Sequence, residues 1–189
     1  MEEYPFLGVN TNFKEWKTAI EYFHGLLLYN YKQRYLDTYV NKWEREGDMQ
    51  KWLQREIDRH LIISQNEPSF TSDREIKMGG GNCDHYYKNI PICDKWKRDS
   101  NASSYPIKIS EFISKLYDDN KAQFHSYAQE VKLGIVVVVD SRSVTRETKS
   151  PDIADNCYRF SVNKVSEDAA ICLVIFVLQI SDIPPSERK

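Results

Sequence analysis

The sequence predicts an α/β fold with a mixed, partly parallel central sheet flanked by helices. Three observations carry this. The runs "GIVVVVD" and "AICLVIFVLQI" are apolar, β-branched and too short to cross a membrane, so they read as buried strands. A helical pattern over 110–131 stands between "IPICDKWK" and "GIVVVVD". That makes a β-α-β unit, whose two strands should be parallel with a right-handed crossover. Two further amphipathic segments precede the strands and supply helices to cover the sheet.

The first helical segment is predicted over 12–45. Phe13, Trp16, Ile20, Phe23, Leu27 and Tyr31 recur at spacings of three and four, and Asn12 is the expected cap. Gly47 interrupts the pattern. Asp48 is the expected cap of a second helix over 49–63, with Met49, Trp52, Leu53, Ile57 and Leu61 on its apolar face. Glu56 falls on that same face, where a carboxylate is costly unless it is paired, bound to a metal or reaches water along its stem. Three extended pieces follow, "REIKM", "CDHYYK" and "IPICDKWK", separated by turn residues as in a meander of hairpins. Ser110 is the expected cap of the helix to Val131. "CYRFSVNK" and "AICLVIFVLQI" close the chain as strands, and the polar stretch 181–189 reads as a tail.

The chain of 189 residues suits one domain with a sizeable core. A net charge of -2 argues against a generally basic, nucleic-acid-coating surface. It leaves room for a local basic run, and Lys95, Trp96, Lys97 and Arg98 form the best candidate. The N-terminal stretch "MEEYPFLGVN" is acidic and lacks the apolar core of a signal peptide, so a cytoplasmic location is expected. The cysteines at 83, 93, 157 and 172 are then expected to be reduced.

Candidate chemistry concentrates in "GGGNCDHYYKNIPICDKWKRD", residues 79–99. Strand parity sets Cys93, Lys95 and Lys97 on one face of "IPICDKWK". Ile92, Asp94 and Trp96 take the other, which the two apolar residues mark as the core side. Asp94 then turns away from Lys95 unless a bulge shifts the register. Cys83, His85 and Cys93 are a weak zinc set, being three ligands without a CxxC pair; small buried thiols are the commoner reading. Cys93 beside Lys95 is also a conceivable nucleophile, although no Cys/His/Asn order accompanies it. "GGG" at 79–81 is not followed by a helix and reads as a turn.

On these residues, 48–140 resembles the PD-(D/E)XK, or restriction-endonuclease-like, nuclease superfamily. The resemblance implies a helix bearing a glutamate, matched by Glu56, and a hairpin bearing an aspartate, matched by Asp84. It implies a strand with Glu-x-Lys, matched at its lysine by Lys95, and a following helix with Gln123 or Tyr127. "QFHSYAQEVKLGIVVVVD" resembles the family's helix-to-strand segment. The implied activity is phosphodiester hydrolysis with Mg²⁺, the metal held by carboxylates and the lysine assisting the attacking water. Nucleic acid is the implied partner, in bacterial defence or genome maintenance.

Cys93 departs from the pattern, because it stands two residues before Lys95 where the family carries an acid. Soft sulfur does not replace a carboxylate toward Mg²⁺. Three readings stay open: a non-cleaving relative, Asp94 supplying the oxygen through a bulge, or Glu56 and Asp84 sufficing with backbone carbonyls. A different class of function is an interaction module. The first helical segment carries Phe13, Trp16, Tyr22, Phe23, Tyr29, Tyr31 and Tyr35 on more than one side. A partner protein or a homodimer would cover them, as would the protein's own core.

Overall fold

The structure is a computed structural model that describes residues 13–32, 34–63, 76–78, 81–87, 90–128, 133–143, 157–165 and 170–180. The tail 181–189 and the sequence's first helical cap, Asn12, lie outside these residues. Helices α1 (Phe13–Lys32), α2 (Arg34–Val40) and α3 (Glu46–Ile63) come first. Short strands β1 (Ile76–Met78), β2 (Gly81–Cys83) and β3 (His85–Tyr87) lead to β4 (Ile90–Lys97). Helices α4 (Asp99–Ala102), α5 (Ile109–Asp119) and α6 (Lys121–Ala128) return the chain to β5 (Leu133–Asp140). Strands β6 (Cys157–Val165) and β7 (Ala170–Gln179) finish it.

The main sheet has five strands in the order β3-β4-β5-β7-β6. β4, β5 and β7 are parallel, and β3 and β6 pair antiparallel at the two edges. The fold is thus the mixed α/β class with a parallel centre. Such a centre is covered on both faces, which is why its strands read as continuous apolar runs. The residues alternate between two cores. Ile135, Val137 and Val139 of β5 pack on the α1–α3 side, while Val136 and Val138 pack with α5 and α6. Each fully buried Val or Ile contributes about 1.5–3 kcal/mol, so the two cores together dominate stability.

Several expected elements differ. The first helical segment divides into α1 and α2, and the third divides into α5 and α6. At the second break, Asn120 turns its amide back to the Leu116 carbonyl at 2.8 Å. This satisfies an orphan carbonyl at the end of α5. Helix α3 begins at Glu46, so Asp48 lies within its first turn. Its Oδ2 reaches back to accept the Glu44 and Arg45 amides at 3.0 and 3.1 Å. Ser110 likewise lies inside α5, whose cap position is Lys108. The expected meander is two units: β1 and β2 form a separate antiparallel pair, and β3 pairs with β4.

The aromatics of α1 are largely accounted for internally. Trp16, Phe23 and Tyr31 are buried in the α1–α3 core, whereas Tyr29 is 59% exposed. Among the described residues no helix is long and apolar enough to cross a membrane.

Candidate functional site

The site grows from a mismatch in strand length. β3 pairs with β4 only from Ile90 to Ile92, so β4 outruns its neighbour. The outward amides beyond that point need acceptors, because unpaired backbone donors are costly. Two carboxylates provide them. Asp84, in the bend between β2 and β3, accepts the Asp94 amide on Oδ2 at 3.0 Å. Glu46, at the start of α3, accepts the Trp96 amide on Oε1 at 3.3 Å. Asp84 Oδ1 also accepts the Gln50 side-chain amide at 3.1 Å. Burial raises the Asp84 pKa, and the Asp94 charge adds to this; the Asp94 amide and Lys95 pull the other way without cancelling it.

On the α3 face, His85 and Asp94 form a sealed pair. His85 Nε2 lies 2.7 Å from Asp94 Oδ2, and His85 Nδ1 lies 2.7 Å from Gln54 Oε1. Gln54 donates its amide nitrogen to Asp58 Oδ1 at 3.0 Å, which leaves its oxygen for the imidazole. The network therefore assigns a proton to His85 Nδ1, and a second proton lies between Nε2 and Asp94. Burial pushes the Asp94 carboxyl up, although the His85 hydrogen bond opposes the shift. Among the described residues Asp94 Oδ1 has no hydrogen-bond partner.

The other face of β4 carries Cys93, Lys95 and Lys97. The Cys93 thiol is fully buried and donates toward Gln123 Oε1 at 3.6 Å. Burial drives its pKa well up, so it stands as a neutral thiol. Lys95 is half-buried. Burial draws its pKa down, but the negative field of Cys93, Glu46, Asp84 and Asp94 more than offsets this and the net shift is upward. Among the described residues the Lys95 ammonium makes no hydrogen bond or ion pair, whereas its basic neighbours are engaged. Lys97 donates to the Tyr105 hydroxyl at 3.2 Å. Arg98 stacks over Trp96 at 4.5 Å and donates to the Glu44 carbonyl at 2.8 Å.

Asp84, Lys95 and Gln123 are thus gathered around Cys93. Two other sequence candidates are not. The β4–β5 register advances one residue at a time from Ile92↔Ile135 to Lys97↔Asp140. With no bulge, Asp94 stays on the α3 face, opposite Cys93 and Lys95. Glu56 is 5% exposed and faces α1, where Asn30 Nδ2 donates to it at 3.4 Å. It lies about 200° around the helix from Gln54 and so cannot share that residue's direction. The side chains of Tyr127 and Cys83 lie outside those described. His85 sits level with Ile92 on the α3 face and Cys93 packs with α5 and α6, so the zinc set divides between faces.

Glu46, Gln50 and Gln54 were missed by sequence reasoning. Their four-residue spacing marks one helical stripe, but the stripe is polar and carries no motif. The donors at Cys93 do not fit the hard cation that the family pattern implies. The thiol is soft and neutral, both Asp84 oxygens accept protein donors, and the nearest second acid turns to the other face. Among the described residues no three His, Cys, Asp or Glu side chains converge to hold a metal ion. Compared with known proteins, the chain matches no family model, no curated protein and no solved structure.

Proposed function

We propose that this chain is a restriction-endonuclease-like domain that binds nucleic-acid phosphates and does not hydrolyse them by the two-carboxylate Mg²⁺ route. The fold assignment is supported by the order of helix, hairpin, parallel strand, helix pair and parallel strand. The observation that carries the functional reading is the composition around Cys93. Asp84, Lys95 and Gln123 surround it, yet the residue itself is a buried, neutral thiol. Lys95 keeps a charged ammonium that no described residue binds, so it is free to meet a phosphate oxygen. Among the described residues no group of His, Cys, Asp or Glu side chains converges to hold the metal that hydrolysis requires.

The test pairs a binding assay with a cleavage assay. Labelled single- and double-stranded oligonucleotides are titrated at low salt, and plasmid is incubated in Mg²⁺ and in Mn²⁺. Binding without cleavage is expected, and Lys95→Ala weakens the binding. Absence of binding at low salt would overturn the reading. So would metal-dependent cleavage by the wild type that Asp84→Ala abolishes.

A further inference from the structure

The basic run 95–98 divides by strand parity. Lys95 and Lys97 lie on the β4 face that packs with α5 and α6, about 6.5 Å apart along the strand. Arg98 is instead taken up by Trp96 and the Glu44 carbonyl. Tyr105, in the turn before α5, is buried against Phe112 with ring centroids 5.3 Å apart. Its hydroxyl donates to Asp119 Oδ2 at 2.5 Å, which leaves its oxygen to accept Lys97 Nζ at 3.2 Å. Two ammonium groups stand by this one ring, Lys97 at 4.5 Å from its centroid and Lys115 at 5.1 Å. Lys115 also pairs with Asp119 Oδ1 at 3.3 Å, one helical turn along α5, and both side chains are open to water.

Lys97 is the unbalanced member. Among the described residues it has no ion pair, and a neutral hydroxyl takes one of its three donors. Burial lowers its pKa and the Lys95 charge adds to this, while Glu46 and Asp119 oppose the shift without cancelling it. Asp119 sits at the same rim, with its two oxygens occupied by Tyr105 and Lys115. An anion arriving there meets two ammonium groups with donors to spare, set in place by a buried phenol. We infer that Lys97 and Lys115, braced by Tyr105, form a second phosphate subsite beside Lys95, so that successive phosphates of one nucleic-acid strand run along β4. The inference rests on the phosphate-binding reading of Lys95 and deepens it. Lys97 and Lys115 supply the charge, and Tyr105 and Asp119 are positioning residues. Contacts of this kind fix the register of the strand and carry no base preference.

The salt dependence of single-stranded oligonucleotide binding tests this on the full chain, with inorganic pyrophosphate as a second probe. The variants are Lys97→Gln, which keeps a donor for the Tyr105 hydroxyl, Lys115→Gln and Tyr105→Phe. Lys108→Gln is the control, an exposed lysine paired with Glu111 instead. Lys97→Gln and Lys115→Gln each flatten the log–log slope by about 0.7. Tyr105→Phe weakens binding by about two- to tenfold and leaves the slope alone, and Lys108→Gln changes neither. A slope that either of the first two substitutions leaves unchanged overturns the inference, and the Lys95 reading stands without it. If Lys97→Gln does not fold, the exposed Lys115→Gln decides alone. If the wild type binds no oligonucleotide, pyrophosphate decides. A rise in Tm that both substitutions abolish keeps the subsite and sinks the nucleic-acid reading, and any other result sinks both.

Discussion

His85 Nε2 stands 2.7 Å from Asp94 Oδ2, and both side chains are sealed from water. The contact belongs to a larger grip. Consecutive residues Asp84 and His85 hold Asp94 at its amide and its carboxylate. Each is held in turn by a glutamine of α3, Gln50 for Asp84 and Gln54 for His85. The four-residue spacing of those glutamines matches one helical turn to two adjacent residues of the hairpin. In this way α3 sets where the bend at Asp84 sits against β4, and so where Asp84 meets Cys93 and Lys95.

His85→Ala leaves the Asp94 carboxylate buried with neither oxygen bonded, and costs about 3–5 kcal/mol. Asp94→Asn keeps a hydrogen bond, because the new amide donates to His85 Nε2. It changes stability by about 1 kcal/mol or less. Urea denaturation of the two variants measures the difference. Equal losses would show that the pair does not hold the hairpin.

The two sets of carboxylates respond to pH in opposite senses. Asp84 and Asp94 lie above an ordinary aspartate, chiefly through burial. A raised carboxyl favours the fold when protonated. That contribution is complete below the unfolded value of about 3.9 and is lost as pH rises through the folded value. Asp48 lies lower, first through the Glu44 and Arg45 amides, and Asp119 lies lower through the Tyr105 hydroxyl. Their contribution is present above the unfolded value and fades as pH falls through the folded one. Asp94→Asn removes one member of the first set. Its stability relative to wild type is therefore greatest near neutrality and declines on acidification. A pH series of urea melts reads this, and a difference independent of pH would contradict it.

Arg142 clamps the end of β5. Its guanidinium binds both Asp140 oxygens at 2.9 Å and donates to the Ala102 and Tyr105 carbonyls at 3.3 and 2.9 Å. Arg142→Ala takes the guanidinium from a buried carboxylate that keeps the residue-142 amide, and costs about 3–5 kcal/mol. Hydrogen exchange over 99–108 should accelerate in the same variant. Unchanged exchange there would show that the clamp does not order the turn after α4.

Phe176 of β7 is fully buried on the α1–α3 side. Phe176→Ala removes apolar area and leaves a cavity, at a cost of about 3–5 kcal/mol. Calorimetric unfolding checks this, and a loss below about 1 kcal/mol would show that this core closes around the gap.

The parallel centre was legible because its strands are long, apolar and β-branched. β4 matches its sequence boundaries, and β5 and β7 differ by one residue at one end. Strand parity also read Asp94 correctly as core-facing, since Ile92 and Trp96 flank it. The helix partners were not legible. Glu56 and Glu46 are both acids on α3, and periodicity alone does not say which stripe meets α1 and which meets the hairpin. Only the packed structure turns Glu56 to Asn30 and Glu46 to β4. The short elements were lost for a different reason. The split at Asp84 and the four-residue α4 depend on side chains bonding nearby amides, as Asn101 does to the Arg98 amide at 2.9 Å. Such bonds leave no periodic trace.

The central claim is that Lys95 meets phosphate from a site that does not cut. It is tested most directly by the salt dependence of oligonucleotide binding, with Lys95→Ala and Glu56→Ala compared with wild type. Affinity should fall linearly on a log–log plot against salt. Lys95→Ala should flatten the slope by about 1, and Glu56→Ala should leave it alone. A slope that Lys95→Ala does not change, or no binding by the wild type at low salt, would contradict the account.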